Sequence, residues 1–324
     1  MGTDETAAPR RSQRLLQVLG PFLGLAAVIA FFGVVAPSGF LTVYNFKTVA
    51  TQTVIVGLGA LGMTFVIVSG GIDLSVGSII ALASVVTALL MREGAGAALA
   101  LLAGVATGGL CGLLNGALIT GLRIVPFIVT LGTLGMARGL AKFLAGEQKI
   151  DAPAGWLAEL MTKSPKPAWM LFAPGVWLLF ALAIAAAFTL RRTVLGAWTF
   201  ALGSNESTAR LCGVPVARTK LWIYALGGLF AGLAGVMQFG RLTVGDPTTA
   251  LGKELDVIAA VVIGGASLSG GSGSILGSMV GAFLMSTLAN GCNLAGIPNF
   301  VQEILIGAII IAAVALDALR QRRA

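Results

Sequence analysis

Long apolar stretches recur along the whole chain, and most of the charged residues lie in the gaps between them. Only 10% of the 324 residues are charged, whereas soluble domains have about 25%. This small number of charged residues cannot cover a surface that faces water. Much of the surface must therefore face lipid. Because lipid offers no hydrogen-bond partners to the backbone, the stretches are expected to be helices. The sequence therefore predicts an all-α integral membrane protein.

Ten of the stretches are candidates for membrane crossing, which takes about 20 residues. They are Leu15–Ala36, Val49–Ser69, Leu74–Met91, Ala97–Gly121, Ile124–Ala145, Trp169–Leu190, Val216–Phe239, Leu255–Ser267, Ile275–Ala289 and Phe300–Leu319. Some are short or interrupted by glycine, so we expect eight to ten helices, about ten in all. The predicted organisation is an N-terminal tail (1–14), one transmembrane domain (15–319) and a C-terminal tail (320–324).

Basic residues predict the orientation. They are concentrated at both termini and between Arg191 and Lys220, and basic residues are commoner in cytoplasmic loops. We therefore expect a multi-pass membrane protein with both termini in the cytoplasm. Membrane orientation also explains the net charge of +8. A nucleic-acid-binding surface is the less favoured explanation, because no aromatic residues are interleaved with the basic ones.

The residue inventory argues against an enzyme. The chain has no histidine, and its cysteines are widely spaced, so neither a zinc site nor a Ser-His triad is expected. Gly252-Lys253 resembles the end of a phosphate-binding loop, but Glu254 replaces the required Ser or Thr. We expect no ATP site, metal or cofactor in this chain. The cysteines are Cys111, Cys212 and Cys292.

An acidic residue interrupts the apolar pattern at Gly70-Gly71-Ile72-Asp73-Leu74-Ser75. A carboxylate between apolar stretches is costly unless it is paired or caps a helix. The glycines allow the backbone to break, and Asp73 is then expected to cap the next helix through the amides of Ser75 and Val76. Direct contact between Asp73 or Ser75 and a solute is the alternative.

Further polar residues lie near Pro126, at the start of the fifth stretch. A proline is well placed at a helix start, and the free amides there can face a polar solute. Side chains suited to a neutral solute path are Asn115, Phe127, Thr130 and Thr133. Such a path is expected to contain no buried charge. Hydrogen bonds between helices explain these polar side chains at least as well.

Glycines recur every four residues in the fourth stretch, at Gly104, Gly108, Gly112 and Gly116. This spacing forms a smooth stripe on one face of a helix, so the stripe predicts close helix packing. A weaker pattern is the repeated GGxxLS at Gly70–Ser75 and Gly264–Ser269, each at the boundary between two stretches. The predicted topology puts both copies on the cytoplasmic side, as in a parallel repeat, although chance similarity is the alternative.

The segment from about 191 to 215 is predicted to be a cytoplasmic loop with a short helix. Ser204 or Asn205 can cap this helix, which continues through Arg210, and Gly213 can end it. A short capped helix on a basic face is suited to docking on a cytoplasmic partner, although an ordinary loop would have a similar composition.

Several segments resemble the ribose/xylose/galactoside permease family of ATP-driven (ABC) importers. They are Ala60–Ser78, Leu114–Thr120, Pro126–Thr133, Gly203–Lys220 and Val257–Gly271. The resemblance extends in order over residues 15–319. Ser204 and Cys212 depart from the residues usual in the family.

The resemblance implies a monosaccharide permease of the bacterial inner membrane, together with its partners. A homodimer would form the pathway, a separate cytoplasmic ATPase would bind ATP and Mg, and an extracytoplasmic binding protein would deliver the sugar. The residues implied to couple to the ATPase are Gly203, Asn205, Glu206, Ala209, Arg210 and Gly213. A nucleoside or a signalling carbohydrate is an alternative solute. An ion-coupled transporter is a further alternative, for which only Asp73 and Asp256 offer intramembrane carboxylates.

Overall fold

Helices dominate the architecture. The computed structural model describes residues 11–36, 39–163, 165 and 169–321. Arg10, Arg322 and Arg323, which contributed to the predicted orientation, lie outside these residues. The helices are α1 (Arg11–Val35), α2 (Val43–Val68), α3 (Val76–Arg92), α4 (Ala97–Leu122), α5 (Pro126–Ala145), α6 (Trp156–Glu159), α7 (Pro174–Arg192), α8 (Val194–Ser204), α9 (Glu206–Leu211), α10 (Val216–Leu242), α11 (Lys253–Ile263), α12 (Ile275–Leu294) and α13 (Asn299–Gln321).

Among the described residues, six helices are long and apolar enough to cross a membrane: α2, α4, α5, α7, α10 and α12. Shorter apolar helical stretches occur at Leu19–Val35, Val76–Arg92, Val194–Ser204 and Asn299–Ala312. The helical membrane fold is confirmed, while the expected number of about ten helices exceeds the six spans that length and composition identify.

Two of the predicted stretches form helices whose bounds differ from those predicted. The stretch Leu74–Met91 becomes helical only at Val76, after a non-helical segment at residues 72–75. The stretch Leu255–Ser267 forms α11, whose 11 residues extend only about 16 Å. Glycine permits the break before α3, because Gly70 has a φ of 81°, which is unfavourable for other residues.

The ends of the bundle are distinguished by their smaller elements. The α9 end carries α9 and the turns that follow α2 and α11. At the opposite, ladder end, β1 (Ile150–Asp151) pairs antiparallel with β2 (Val244–Gly245). The purely α-helical prediction did not include this ladder. It also did not include α8, which lies within the predicted 191–215 loop and is capped by Thr193.

The helices α3 and α11 both begin halfway through the bundle. A methyl group placed on Gly59 of α2 would lie 2.8 Å from Val257 and 3.6 Å from Val76. From this level α3 runs toward the ladder end beside α10, with Gly235 against Ile80. The helix α11 runs in the other direction and ends at Gly264, against the start of α12 at the α9 end. Both of these shorter helices are preceded by non-helical chain.

The centre of the bundle is α2, which is buried along nearly its whole length. A helix that is apolar on all sides is expected to be surrounded by other helices. Its neighbours include α7, α10, α11 and α12.

The glycine stripe of α4 lies against α10. Gly108 faces Gly228 and Gly232, and Gly112 faces the carbonyl oxygen of Tyr224. Gly104 and Gly116 extend the contact to Val236 and Leu221. Since no side chain separates the helices at Gly108, their backbones touch directly.

Candidate functional site

The non-helical segment before α3 carries a buried polar network. Asp73 Oδ1 accepts hydrogen bonds from the amide of Ser75 at 2.8 Å and from its hydroxyl at 2.5 Å. The Asn115 side-chain amide donates to Ser75 Oγ at 2.9 Å. Asp73 therefore holds the turn before α3, but the expected bond to Val76 is absent among the described contacts. Asp73, Ser75 and Asn115 are at most 1% exposed.

Thr130 attaches the same segment to α5. Its hydroxyl lies 3.2 Å from the carbonyl oxygen of Ile72, to which it donates, and 3.2 Å from the amide of Leu74, from which it accepts. Thr133 is buried one turn later and donates to the Thr130 carbonyl at 3.3 Å. These contacts link the start of α3 to the first half of α5.

The predicted solute-path residues thus divide into two groups. Asp73, Ser75, Asn115, Thr130 and Thr133 are buried, and their bonds support the backbone around residues 72–75. Phe127 is 46% exposed, so it is the member of the predicted set that the described protomer presents at its surface. Solute contact by these residues stays a prediction.

Tyr224 joins this region through space rather than through sequence. Its hydroxyl is buried, and a methyl group on Gly71 would collide with it. Within the described residues this hydroxyl has no hydrogen-bond partner, and neither has Asp73 Oδ2. The sequence analysis missed Tyr224, because only the fold brings α10 to the Gly70-Gly71 turn.

The short helix α9 forms where the 191–215 segment was expected to dock on a partner. Of the two candidate caps, Asn205 is the one used, accepting from the Thr208 amide at 2.9 Å. Gly213 has a φ of 86°, which suits the turn after the helix. Leu211 is 88% exposed and Ala209 is buried, so α9 rests on the bundle by one face and presents the other.

Two ion pairs fix α9 at Glu206. Its carboxylate lies 3.0 Å from Arg210 on the same helix and 2.7 Å from Lys220 at the start of α10. The hydrogen bond from Lys220 is the main cause that lowers the pKa of Glu206 below its usual value. Glu206 is therefore charged at neutral pH and ties α9 to α10.

Gly203, at the end of α8, connects α9 to two turns. One is residues 69–71 after α2 and the other is residues 269–271 between α11 and α12. A methyl group on Gly203 would collide with Val68 O and Gly271 N, and the Gly271 amide donates to Val68 O at 2.9 Å. We call Gly203 and the two turns the glycine junction.

The glycine junction contains parts of both GGxxLS copies, which therefore lie at the same end of the bundle and touch. The similarity does not extend to the helices that follow. After the second copy, α12 begins at the α9 end, capped by Ser274. After the first copy, the chain continues to the middle of the bundle before α3 begins.

Two of the cavities beside α9 are also bordered by residues of neighbouring elements. One of about 410 Å³ lies beside the glycine junction and is bordered by Ser204, Lys220 and Tyr224. The other, of about 680 Å³, is bordered by Arg123, Arg210, Arg218 and Lys220 together with Glu206. This second cavity is basic, and its walls combine residues of α9 with those of the neighbouring helix ends.

Charged residues also meet where α11 begins. The expectation of a solute path without buried charge stays a prediction. Arg138 of α5 donates from Nη1 to the carbonyl oxygens of Pro247 and Thr249, both at 2.7 Å. Lys253 pairs with Asp256 at 2.6 Å. Glu254 lies against Gly77, at the start of α3. We call Arg138, Lys253, Glu254 and Asp256 the central charged cluster.

The cluster's acidic residues do not form a metal site. Across the described residues, no group of three or more His, Cys, Asp or Glu side chains has a geometry that could hold a metal ion.

Comparison with known proteins identifies relatives over nearly the whole chain. The family described as branched-chain amino acid transport system / permease component matches residues 45–314. The ribose import permease protein RbsC of Bacillus subtilis is 40% identical, with 94% of this chain and 93% of that protein covered. The L-arabinose ABC transporter permease protein AraH of Azospirillum brasilense is 35% identical, covering 99% and 95%.

The D-allose transport system permease protein AlsC of Escherichia coli is also 35% identical, with 93% of this chain and 91% of that protein covered. No solved structure matches the chain.

Proposed function

Since the chain belongs to the family of branched-chain amino acid transport system / permease components, we propose that it is the permease subunit of an ABC importer for a monosaccharide. The names of relatives that are 35–40% identical support a sugar, because they refer to ribose, L-arabinose and D-allose. A separate ATPase would supply the energy, and an extracytoplasmic binding protein would deliver the solute.

The observation that carries the proposal is the exposed helix α9 on the glycine junction. Its outward face offers Leu211 and Arg210 to a partner, while Gly203 contacts the backbone of both turns. A force on α9 therefore reaches the ends of α2 and α11 through atoms that touch. Closure of the ATPase would shift α9, and the pathway would open to the other side because the two states bind the ATPase with different affinity.

The basic cavity beside α9 supports the same assignment. It places Arg123 and Arg218 next to the face of α9 that a partner would contact. Acidic residues of an ATPase would be attracted to this surface, which increases the rate of encounter more than the affinity.

Ten passes follow if α1, α13 and the shorter helices α3 and α11 are added to the six long helices, with α3 and α11 counted together with their non-helical extensions. The segment 72–75 with α3 would make one pass, and residues 246–252 with α11 would make another. Non-helical backbone at membrane depth is tolerated where protein buries it or where it lines a cavity. The α9 end would then be cytoplasmic, together with both termini.

A second copy of the chain would complete the pathway. In the described protomer, α5 exposes Gly132, Gly135 and Gly139, and a methyl group on any of them would have no neighbour within 4 Å. Such a face permits close approach of another helix. The proposed dimer would bring the two copies of α5 together around the solute path.

The test is reconstitution in proteoliposomes with the ATPase and the binding protein. We expect uptake of one of D-ribose, L-arabinose or D-allose that requires ATP hydrolysis and persists when proton and sodium gradients are collapsed. Uptake that continues without the ATPase, or that stops with the ion gradients while ATP is present, would contradict the proposal. The matched control is an ATPase variant that binds ATP without hydrolysing it.

A further inference from the structure

We propose that the central charged cluster lines a water-filled site in the middle of the membrane, where Glu254 binds hydroxyl groups of the passing solute. The inference rests on the proposed import function and adds the site of contact. The cluster comprises Arg138, Lys253, Glu254 and Asp256, none of which belongs to the buried network around Asp73.

The depth of the site follows from its neighbours. Glu254 lies against Gly77, and the adjacent Val76 packs beside Gly59 of α2. Gly59 precedes the Gly70 turn by eleven residues, which is about 16 Å of helix. Along α11, Glu254 precedes the turn at Gly264 by ten residues, or about 15 Å. Both routes place Glu254 near half of the hydrocarbon thickness of about 30 Å.

The cluster is built into two elements rather than scattered over a surface. Arg138 of α5 holds the chain before α11 through its bonds to Pro247 and Thr249. Gln238 of α10 donates to the Thr249 hydroxyl at 2.7 Å, which fixes the same segment from the other side. Arg138 and Glu254 are close enough to interact electrostatically. The segment that presents Glu254 is therefore positioned by side chains from two long helices.

Partial exposure at this depth requires water. Arg138 and Glu254 are each half-buried in the protomer, and the Lys253 side chain is 37% exposed. A charged group in contact with lipid in the middle of a bilayer is costly, so intramembrane charges face the protein interior or a water-filled cavity. The side of α5 and α11 that carries the cluster therefore faces the aqueous path, not lipid.

The composition of the cluster indicates the class of solute. It combines two cationic and two carboxylate side chains, so their formal charges cancel. Lys253 and Asp256 pair with each other, and Arg138 is committed to backbone carbonyls. Glu254 forms no ion pair within 4 Å among the described residues, so its oxygens can also accept from hydroxyls, and charge-assisted bonds are the stronger ones. A neutral polyhydroxyl solute such as a monosaccharide fits this site better than an ion.

Thiol labelling tests whether the site is wet and occupied. In a permease–ATPase complex without native cysteines, Leu255→Cys places a thiol next to Glu254 at a position that is 45% exposed. The control is Leu110→Cys, at a 66% exposed position midway along α4. We expect a charged, membrane-impermeant thiol reagent to modify Leu255→Cys and to leave Leu110→Cys unmodified. Failure to label Leu255→Cys would overturn the proposal.

Protection by solute identifies the ligand. D-ribose, L-arabinose, D-allose and, as a zwitterionic comparison, L-leucine are added separately at high concentration. At least one sugar is expected to slow labelling of Leu255→Cys about threefold or more, and Glu254→Gln in the same chain should abolish that protection without changing the unprotected rate. An unchanged unprotected rate shows that the variant folds. Protection by L-leucine alone, or by none of the four, would overturn the assignment.

Uptake provides the second readout. Glu254→Gln is expected to lower sugar uptake about tenfold while ATP hydrolysis continues, because one charge-assisted bond to the solute is lost. Wild-type uptake by Glu254→Gln would refute the role of Glu254 alone. Absence of ATP-driven uptake by the wild-type complex would refute the proposed function instead, whereas the labelling of Leu255→Cys would still report on the water-filled site.

Discussion

At the scale of single residues, Asp73 shows how a carboxyl group within a membrane bundle serves backbone geometry. One of its oxygens accepts both hydrogen bonds from Ser75, while the other has no partner among the described residues. A substitution of Asp73 that keeps an oxygen in the place of Oδ1 should therefore be tolerated, whereas a substitution that removes this oxygen should not. The substitution that keeps this oxygen but removes the negative charge also separates a structural role of Asp73 from solute or ion binding.

Asp73→Asn is expected to retain the fold and most of the sugar uptake, since its side-chain oxygen can still accept from Ser75. Asp73→Ala leaves the buried amide and hydroxyl of Ser75 unpaired, which costs about 1–3 kcal/mol. Thermal unfolding in detergent should show a lower Tm for Asp73→Ala than for Asp73→Asn. If Asp73→Asn folds normally but abolishes uptake, the carboxylate itself acts on the solute or on a coupling ion.

The ion pairs of Glu206 predict a response to pH. Lys220 lowers the pKa of Glu206 in the folded protein, so the stabilisation is present above the usual value of 4.5 and is lost as the pH falls through the lower folded value. Because the Glu206 side chain is 41% exposed, the pair contributes less than about 1 kcal/mol. Acid-induced loss of Tm should be smaller in Glu206→Gln than in the wild type. Equal slopes would show that the pair does not stabilise the fold.

Coupling is a separate prediction for the same helix. Replacing Glu206 or Arg210 should reduce uptake while ATP hydrolysis continues, since α9 loses its connection to Lys220 or its charged outward face. The measurement is the number of sugars imported per ATP hydrolysed. Unchanged uptake in both variants would exclude these residues from coupling.

At the scale of helices and turns, the glycine junction is the point at which α8 and α9 meet the rest of the bundle. Gly203→Ala should move α8 away from the turns, because a methyl group collides with Val68 O and Gly271 N. We expect ATP hydrolysis with little uptake, and a destabilisation of about 1–3 kcal/mol. Gly307→Ala is the control, since its methyl group would have no described neighbour within 4 Å. Normal uptake by Gly203→Ala would show that the junction does not transmit movement.

The contact between α4 and α10 provides a test of packing alone. Gly108→Ala places a methyl group against the backbone of Gly228 and Gly232, so its Tm should fall. Gly121→Ala on the same helix has no described neighbour within 4 Å, and alanine is the better helix former there. Its Tm should be unchanged or higher. Equal effects of the two substitutions would show that close packing at Gly108 is unimportant.

The sequence predicted elements whose signals are local. Apolar length identified the long helices, glycine spacing identified the stripe of α4, and capping residues identified α9. Hydropathy did not reveal that residues 72–75 are non-helical, because Ile72 and Leu74 are as apolar as the helix that follows. The central charged cluster was also missed, since Arg138 meets Pro247 and Thr249 only after the chain has folded.

At the scale of the whole molecule, the arrangement separates the groups that a partner could push from those that a solute could touch. α9 and its basic cavity lie at one end of the bundle, the central charged cluster lies halfway through it, and the ladder lies at the other end. The shorter helices α3 and α11 both begin near the central charged cluster and run from there in opposite directions. In the proposed mechanism, movement of the glycine junction acts on the turn that follows α11 and on the segment that leads to α3.

The proposed docking of an ATPase on α9 requires the α9 end to be cytoplasmic, and the native cysteines can report this orientation. Cys212 is exposed just after α9, whereas Cys292 is buried within α12 and Cys111 is partly buried in α4. An impermeant thiol reagent should label Cys212 in inside-out vesicles and not in right-side-out ones. Cys212→Ser should remove that labelling, and Lys149→Cys, placed near the ladder in the Cys212→Ser background, should show the opposite sidedness.

Labelling of Cys212 from the outside would place α9 where no cytoplasmic ATPase could reach it. Because α9 and the ladder lie at opposite ends of the bundle, Cys212 and Lys149→Cys report on opposite sides of the membrane. Agreement between them would fix the direction of every helix, including α3 and α11, because the contacts at Gly59, Gly77 and Gly264 set the direction of these two relative to α2.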